Sequence, residues 1–196
     1  MINEFCRGLD PGFPDNIAIE HEIENILHDH WLNFDYKINS DHTIDVIGDV
    51  VFPQFASFLR EFPLQFGKVG GNFNISALEN LTSLKGAPVW VGGIFNCSFT
   101  KITSLEYVPE SAGVLVFDNN ISSLATGNRN CKFNHVHMLM INSNPQNRLP
   151  REIINNKEYF RLILKYQNYF DVWDDNGAFN ARGFDMLIAE IKEGLK

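Results

Sequence analysis

Apolar and polar positions change rhythm three times along this chain. From Asn16 to Leu32, Ile19, Ile23, Ile26 and Leu27 recur at helical spacing, and Asp15 stands where an N-cap belongs, so a helix is predicted there. Next come YKI (36–38) and IDVIG (44–48), short apolar runs that read as strands. They either pair across the Asn39–His42 turn or open a sheet. Thereafter the period becomes two: Phe73 and Ile75, Phe95 and Cys97, Val114 and Val116, Leu139 and Ile141. Past Pro150 the helical period returns. Lys157, Arg161, Lys165 and Asn168 form one polar stripe, and a wide apolar surface from Tyr159 to Phe170 covers the rest. Asp174 to Gly177 breaks that helix, and a second follows with Phe184, Leu187, Ile188, Ile191 and Leu195 on one face.

The period-two region is a tandem repeat. VGGNFNISALENLTSLKGAP begins at Val69, VGGIFNCSFTKITSLEYVP at Val91, and a decayed copy, SAGVLVFDNNISSL, runs from Ser111 to Leu124. The anchors Leu84, Leu105 and Leu124 are 21 and 19 residues apart, and Phe62 takes the same place 22 residues upstream of Leu84. VVF (50–52) supplies a first strand. His137 to Pro145 is expected to supply a last strand that then stops, which makes Ala125 to Val136 an insertion. Units this short leave no room for a full helix in the crossover, which must be irregular or 3₁₀. Gly70-Gly71 and Gly92-Gly93 precede the strands, where a tight turn with positive φ is expected. Such units bury their apolar side only by stacking, and the ends of the stack need caps. The fold expected is an α/β repeat: a short leucine-rich-repeat-like solenoid with one parallel sheet. It forms a single domain over 1–196, with an N-terminal helical cap (1–43), the solenoid (44–150) and a C-terminal helical cap (151–196).

The units at Val69 and Val91 resemble the leucine-rich-repeat-like proteins encoded by large tailed bacteriophages, which carry a pattern like V-G-G-x-F-x-C-S-x-N-x-L-T-S-L-x-G-A-P. The resemblance spans 44–150 and extends to KYQNYFDVW in the tail. The Asn before the L-T-S-L ending is Thr100 in the second unit and is displaced in the first. Membership would imply an accessory phage protein of the bacterial host cytoplasm. The family offers no general catalytic residues to carry over.

Charge and composition narrow the function. With 24 acidic against 16 basic residues the net charge is −8, which disfavours nucleic-acid backbones as partners. No apolar run reaches the ~18 residues of a membrane span, and the N-terminus lacks the pattern of a secretory signal. Cys6, Cys97 and Cys131 are few and unpaired in spacing, as in a reducing compartment. Phe is in excess, with 17 copies against 5 Tyr and 3 Trp.

Candidate chemistry is sparse. His21 and Glu22 begin like H-E-x-x-H, but Glu24 and Asn25 follow, and His28 and His30 project about 200° apart on a helix. Asp171, Asp174, Asp175 and Asn176-Gly177 mimic a calcium loop without a Glu at its twelfth position. Cys131, His135 and His137 form a C-x3-H-x-H set with no evident fourth ligand. No cofactor is expected, and an enzyme is the weaker reading. The sheet's outer face says more. If Phe73, Phe95, Val114 and Leu139 point inward, the outward residues are Asn74 and Asn96 and then Leu115, Phe117, Met138 and Met140. VLVF (114–117) and MLMI (138–141) are apolar at every position, so they are covered on both faces, either by the chain itself or by another molecule. The expected function is a non-catalytic protein interaction module that occludes a bacterial host protein. The alternatives are a small-molecule or metal-binding protein with a pocket between repeat and tail, and a homodimeric structural protein.

Overall fold

A computed structural model describes residues 15–29, 34–76, 78–127, 129–141, 149–174 and 176–196. Helix α1 (Asp15–Asp29) precedes a hairpin of β1 (Tyr36–Ile38) and β2 (Ile44–Val46). The two strands pair antiparallel, Tyr36 opposite Val46, and β2 also runs parallel to β4 (Phe66–Val69). Both pairings expected of IDVIG therefore occur. Of the residues singled out above, Cys6, His30, Leu32, Pro145 and Asp175 lie outside those described, as do the side chains of Asp15, Asn16 and Ile19.

Each following turn adds one row to a mostly parallel sheet. Early rows are split in two: β2 with β3 (Val50–Val51), and β4 with β5 (Phe73–Asn74). Later rows are continuous: β6 (Trp90–Asn96), β7 (Ser111–Asp118) and β8 (Lys132–Leu139). One ladder runs Val46, Val69, Val91, Ala112, Phe133, and a second runs Val50, Phe73, Phe95, Leu115, Val136. This is a β-solenoid of about four turns. The return segments contain no strand among the described residues, and the first is a 3₁₀ helix, Gln54–Phe58.

Inside the coil the Phe excess finds its use. Phe52, Phe62, Phe66, Phe73 and Phe95 form one ring cluster, and Phe73 lies parallel on Phe95 with centroids 5.6 Å apart. Each such contact adds about 0.5–1.5 kcal/mol beyond burial of the ring. Leu78, Leu81 and Leu84 close the cluster from the return side, all fully buried. The repeated serines close turns: Ser83, Ser104 and Ser123 each accept a hydrogen bond from the backbone N–H two residues on. The motif S-L thus encodes a turn followed by a core anchor.

The paired glycines answer to close approach and not to φ, since none of the four has positive φ. A β-carbon on Gly70 would lie 2.1 Å from the Ile47 carbonyl oxygen, and one on Gly92 2.2 Å from that of Gly70. On Gly71 and Gly93 it would meet Asp49 Oδ1 at 2.1 Å and Asn72 Oδ1 at 2.4 Å. Those oxygens accept from the next turn, Asp49 from Asn72 N–H (2.6 Å) and Asn72 from Ile94 N–H (2.8 Å). They bridge successive turns in the gap between the two ladders, where β4 and β5 are interrupted and β6 runs on between the pairs Val69–Val91 and Phe73–Phe95.

Helices stand at both ends. Ile23 and Leu27 of α1 join the core. At the other end come α2 (Arg151–Ile154), α3 (Phe160–Tyr166) and α4 (Ala181–Glu193). The first tail helix is therefore broken earlier than its apolar surface suggests. Helix α4 starts at Asn180, whose side chain accepts from Gly183 N–H, and stops at Gly194 in the left-handed region. Its buried face is Phe184, Leu187, Ile188 and Ile191, as its spacing predicts.

Candidate interaction face

Strands β6 to β8 set the geometry of the outer sheet face. Phe95, Leu115 and Val136 share a ladder row, so Leu115 points inward, and Phe117 follows it two residues on. Both are fully buried, which corrects their expected outward placement. The cause is a lost residue. VGGIF (91–95) carries the bulge, whereas AGVL (112–115) has one glycine fewer, so every later side chain changes face. Val114 and Leu139, expected inside, accordingly lie outside. Met138 pairs with Phe117 on the inner row and is half-buried against the core, so it too leaves the outer set. Met140, past the strand end, is 66% exposed.

The chain's own tail covers the inner rows. The Phe160 ring of α3 meets Phe117 at 5.9 Å, and Val136 packs on the same core. Nor is Ala125–Val136 an insertion. Ala112 to Phe133 and Leu115 to Val136 are both regular 21-residue steps, and 132–136 already belong to β8.

What remains outside forms two rows. One runs Ile94, Val114, His135, and the other Asn74, Asn96, Val116, His137. Trp90 lies over Gly92 at one end of these rows, and Leu139 lies at the other. Trp90 and Ile94 are each 41% exposed and Leu139 37%. Asn74 and Asn96, proposed from sequence as contact residues, are half-buried turn makers: their side-chain oxygens accept from Ser76 N–H (3.1 Å) and Ser98 N–H (3.2 Å). In the next unit that row position is Val116, and the turn is closed two residues further on by Asp118, which accepts from Asn120 N–H and from Phe99 N–H. The face of β6–β8 carries Lys132, His135 and His137. Its only carboxylate, Asp118, is 3% exposed.

Comparison with protein-family models, curated proteins and solved structures gives no match to this chain.

The three residues of the C-x3-H-x-H set are not brought together. Cys131 is buried before β8 begins, and burial pushes its thiol up to about 12. His135 and His137 face outward on β8. Among the described residues no three His, Cys, Asp or Glu side chains converge as metal ligands. Cys97 occupies the core position of Ile75, and burial pushes its thiol up as well. Asp174 Oδ1 accepts from the N–H groups of Asn176 and Ala178, so the calcium-like stretch is a closed turn.

Two concavities lie between solenoid and tail. A polar cleft of about 550 Å³ is bounded by Ser104, Glu106 and Ser122 on one side and Asp171, Trp173 and Asp174 on the other. An apolar groove of about 760 Å³ is walled by Cys131, Tyr166, Tyr169, Phe170 and Met186, with Lys132 and Lys165 at its rim. Sequence reasoning missed Trp90, Ile94, Val114 and Val116 as surface residues. The signal was present in the single glycine of AGVL where the preceding units have two. No helix is long and apolar enough to cross a membrane among the described residues.

Proposed function

We propose that this chain is a non-catalytic interaction module, docking a protein partner on the outer face of β6–β8. One observation carries the reading. In a chain of net charge −8, this face holds Trp90, Ile94, Val114, Val116 and Leu139 beside Lys132, His135 and His137, without an exposed carboxylate among the strand residues. Contiguous apolar surface of that kind marks an interaction site, and its basic rim fits an apolar protein surface edged with Asp and Glu. The repeat's resemblance to phage proteins supports a bacterial host partner, with inhibition by occlusion as the mode of action and anti-defence as its purpose.

The test is purification of the captured partner, followed by hydrogen exchange on the complex. Protection concentrated on 90–96, 111–118 and 132–139, and loss of capture by a folded Ile94→Asp/Val116→Asp variant, are the expected results. Equal capture by that variant rejects the face. A concentration-dependent dimer in light scattering, abolished by the same variant, assigns the face to self-association instead.

A second reading, a small apolar ligand in the 760 Å³ groove, is favoured by the aromatic wall of Tyr166, Tyr169 and Phe170. Met186→Trp, which fills the groove, would then abolish ligand-induced thermal stabilisation.

A further inference from the structure

We infer that His135 and His137 form a two-ligand chelate for a zinc-class divalent ion on the outer face of β8. The two residues are i and i+2 on one strand, so their side chains leave the same face with α-carbons about 6.6 Å apart. Their rings stack, with centroids 6.4 Å apart and planes inclined by 8°, so the rings must turn before their nitrogens can aim at one ion lying in both ring planes. Metal–nitrogen bonds of 2.0–2.1 Å and a tetrahedral angle require ring centroids about 5 Å apart. Rotation about the χ1 and χ2 angles of both exposed rings closes that gap of roughly 1 Å and turns the two ring planes toward a common point.

Among the described residues, no hydrogen bond or ion pair engages either imidazole. The backbone beneath is fixed, since His135 and His137 pair with Val114 and Val116 of β7 while Val136 packs inward. Imidazole pairs select zinc, nickel and copper and reject magnesium and calcium, which need oxygen cages. The flanking side chains, Val114, Val116 and Leu139, cannot ligate, and Asp118 is buried and engaged by Phe99 and Asn120. Among the described residues none supplies a further ligand, so the open coordination positions take water or a donor atom of a docked molecule.

The inference does not depend on the docking reading. It is tested on the full chain alone, freed of metal by a chelator and titrated calorimetrically with zinc, nickel and magnesium chlorides. We expect one zinc-class ion per chain at this site and none of magnesium. His135→Ala and His137→Ala should each weaken binding at least about tenfold, with unchanged circular dichroism. The inference is overturned if the double variant binds zinc with the parent's stoichiometry and affinity. It also falls if the parent binds no zinc up to millimolar concentration. The Ile94→Asp/Val116→Asp variant keeps both imidazoles, so failure of docking and failure of chelation are read separately.

Discussion

Gln167 is joined to Leu124 by a hydrogen bond from its side-chain amide nitrogen to the Leu124 carbonyl oxygen, 2.8 Å long and buried to 1% exposure. The same nitrogen reaches Thr126 Oγ1 at 3.2 Å, and its amide oxygen accepts from Trp173 Nε1 at 2.9 Å. One side chain thus ties the helical tail to the last return segment and fixes the indole. Truncation leaves a buried carbonyl and a half-buried indole N–H without partners, at a cost of about 1–3 kcal/mol for the buried group and less for the other. Gln167→Ala should therefore lower stability by about 3 kcal/mol in urea denaturation. Asn168→Ala, at an exposed position, should cost less than half of that.

The glycine pairs separate two explanations that predict different mutants. If they serve close approach, Gly92→Ala drives a β-carbon into the Gly70 carbonyl and should destabilise by about 3 kcal/mol. Gly48 has nothing within 4 Å of its would-be β-carbon and no positive φ. Gly48→Ala should be neutral or stabilise by about 0.5 kcal/mol through the unfolded chain. Denaturant midpoints of the two variants decide the matter, and equal effects would refute the steric account.

Much of this coil was legible in the amino-acid order because its determinants are local. The S-L turn anchors, the period-two Phe rows and the apolar face of α4 each follow from spacing alone. The outer face was not, because face assignment depends on a running count. One residue gained in the bulge of β6 relative to β7 inverts every later position, and that count is settled by pairing between turns. Aligning units on Leu84, Leu105 and Leu124 hid the change, since those anchors lie beyond the bulge. Asn74 and Asn96 do lie on the outer row, half-buried, with their side-chain oxygens engaged. A polar residue on a strand suggests a contact surface, but here its oxygen closes the turn that follows.

Tyr107 offers a test of repeat energetics. Its φ is +66°, and the corresponding corner of the preceding turn, two residues after Leu84 as Tyr107 is after Leu105, holds Gly86 (φ +96°). A bulky residue in that region costs about 1–2 kcal/mol relative to glycine, and the 37% exposed ring recovers only part of it by packing. Tyr107→Gly should raise the urea midpoint by an amount worth about 1 kcal/mol at unchanged slope. A fall in the midpoint would show that the ring's packing outweighs the backbone strain.

The two buried thiols predict how stability responds to alkali. Burial raises both Cys97 and Cys131 above the ~8.5 of an unfolded cysteine, Cys131 to about 12. Below about pH 8.5 both states keep their protons and the thiols contribute no pH dependence. Above it the unfolded chain loses protons that the folded chain retains. Folding stability must then fall as pH rises, by up to about 1.4 kcal/mol per pH unit for each thiol. For Cys131 the fall ends near pH 12, where the folded thiol also ionises. Cys97→Ala/Cys131→Ala should be less stable at pH 7 because of the space it leaves, yet lose stability less steeply between pH 8.5 and 10. Urea titrations of both proteins at four pH values in that interval measure the two slopes. Parallel slopes would mean that the thiols are not the groups responsible.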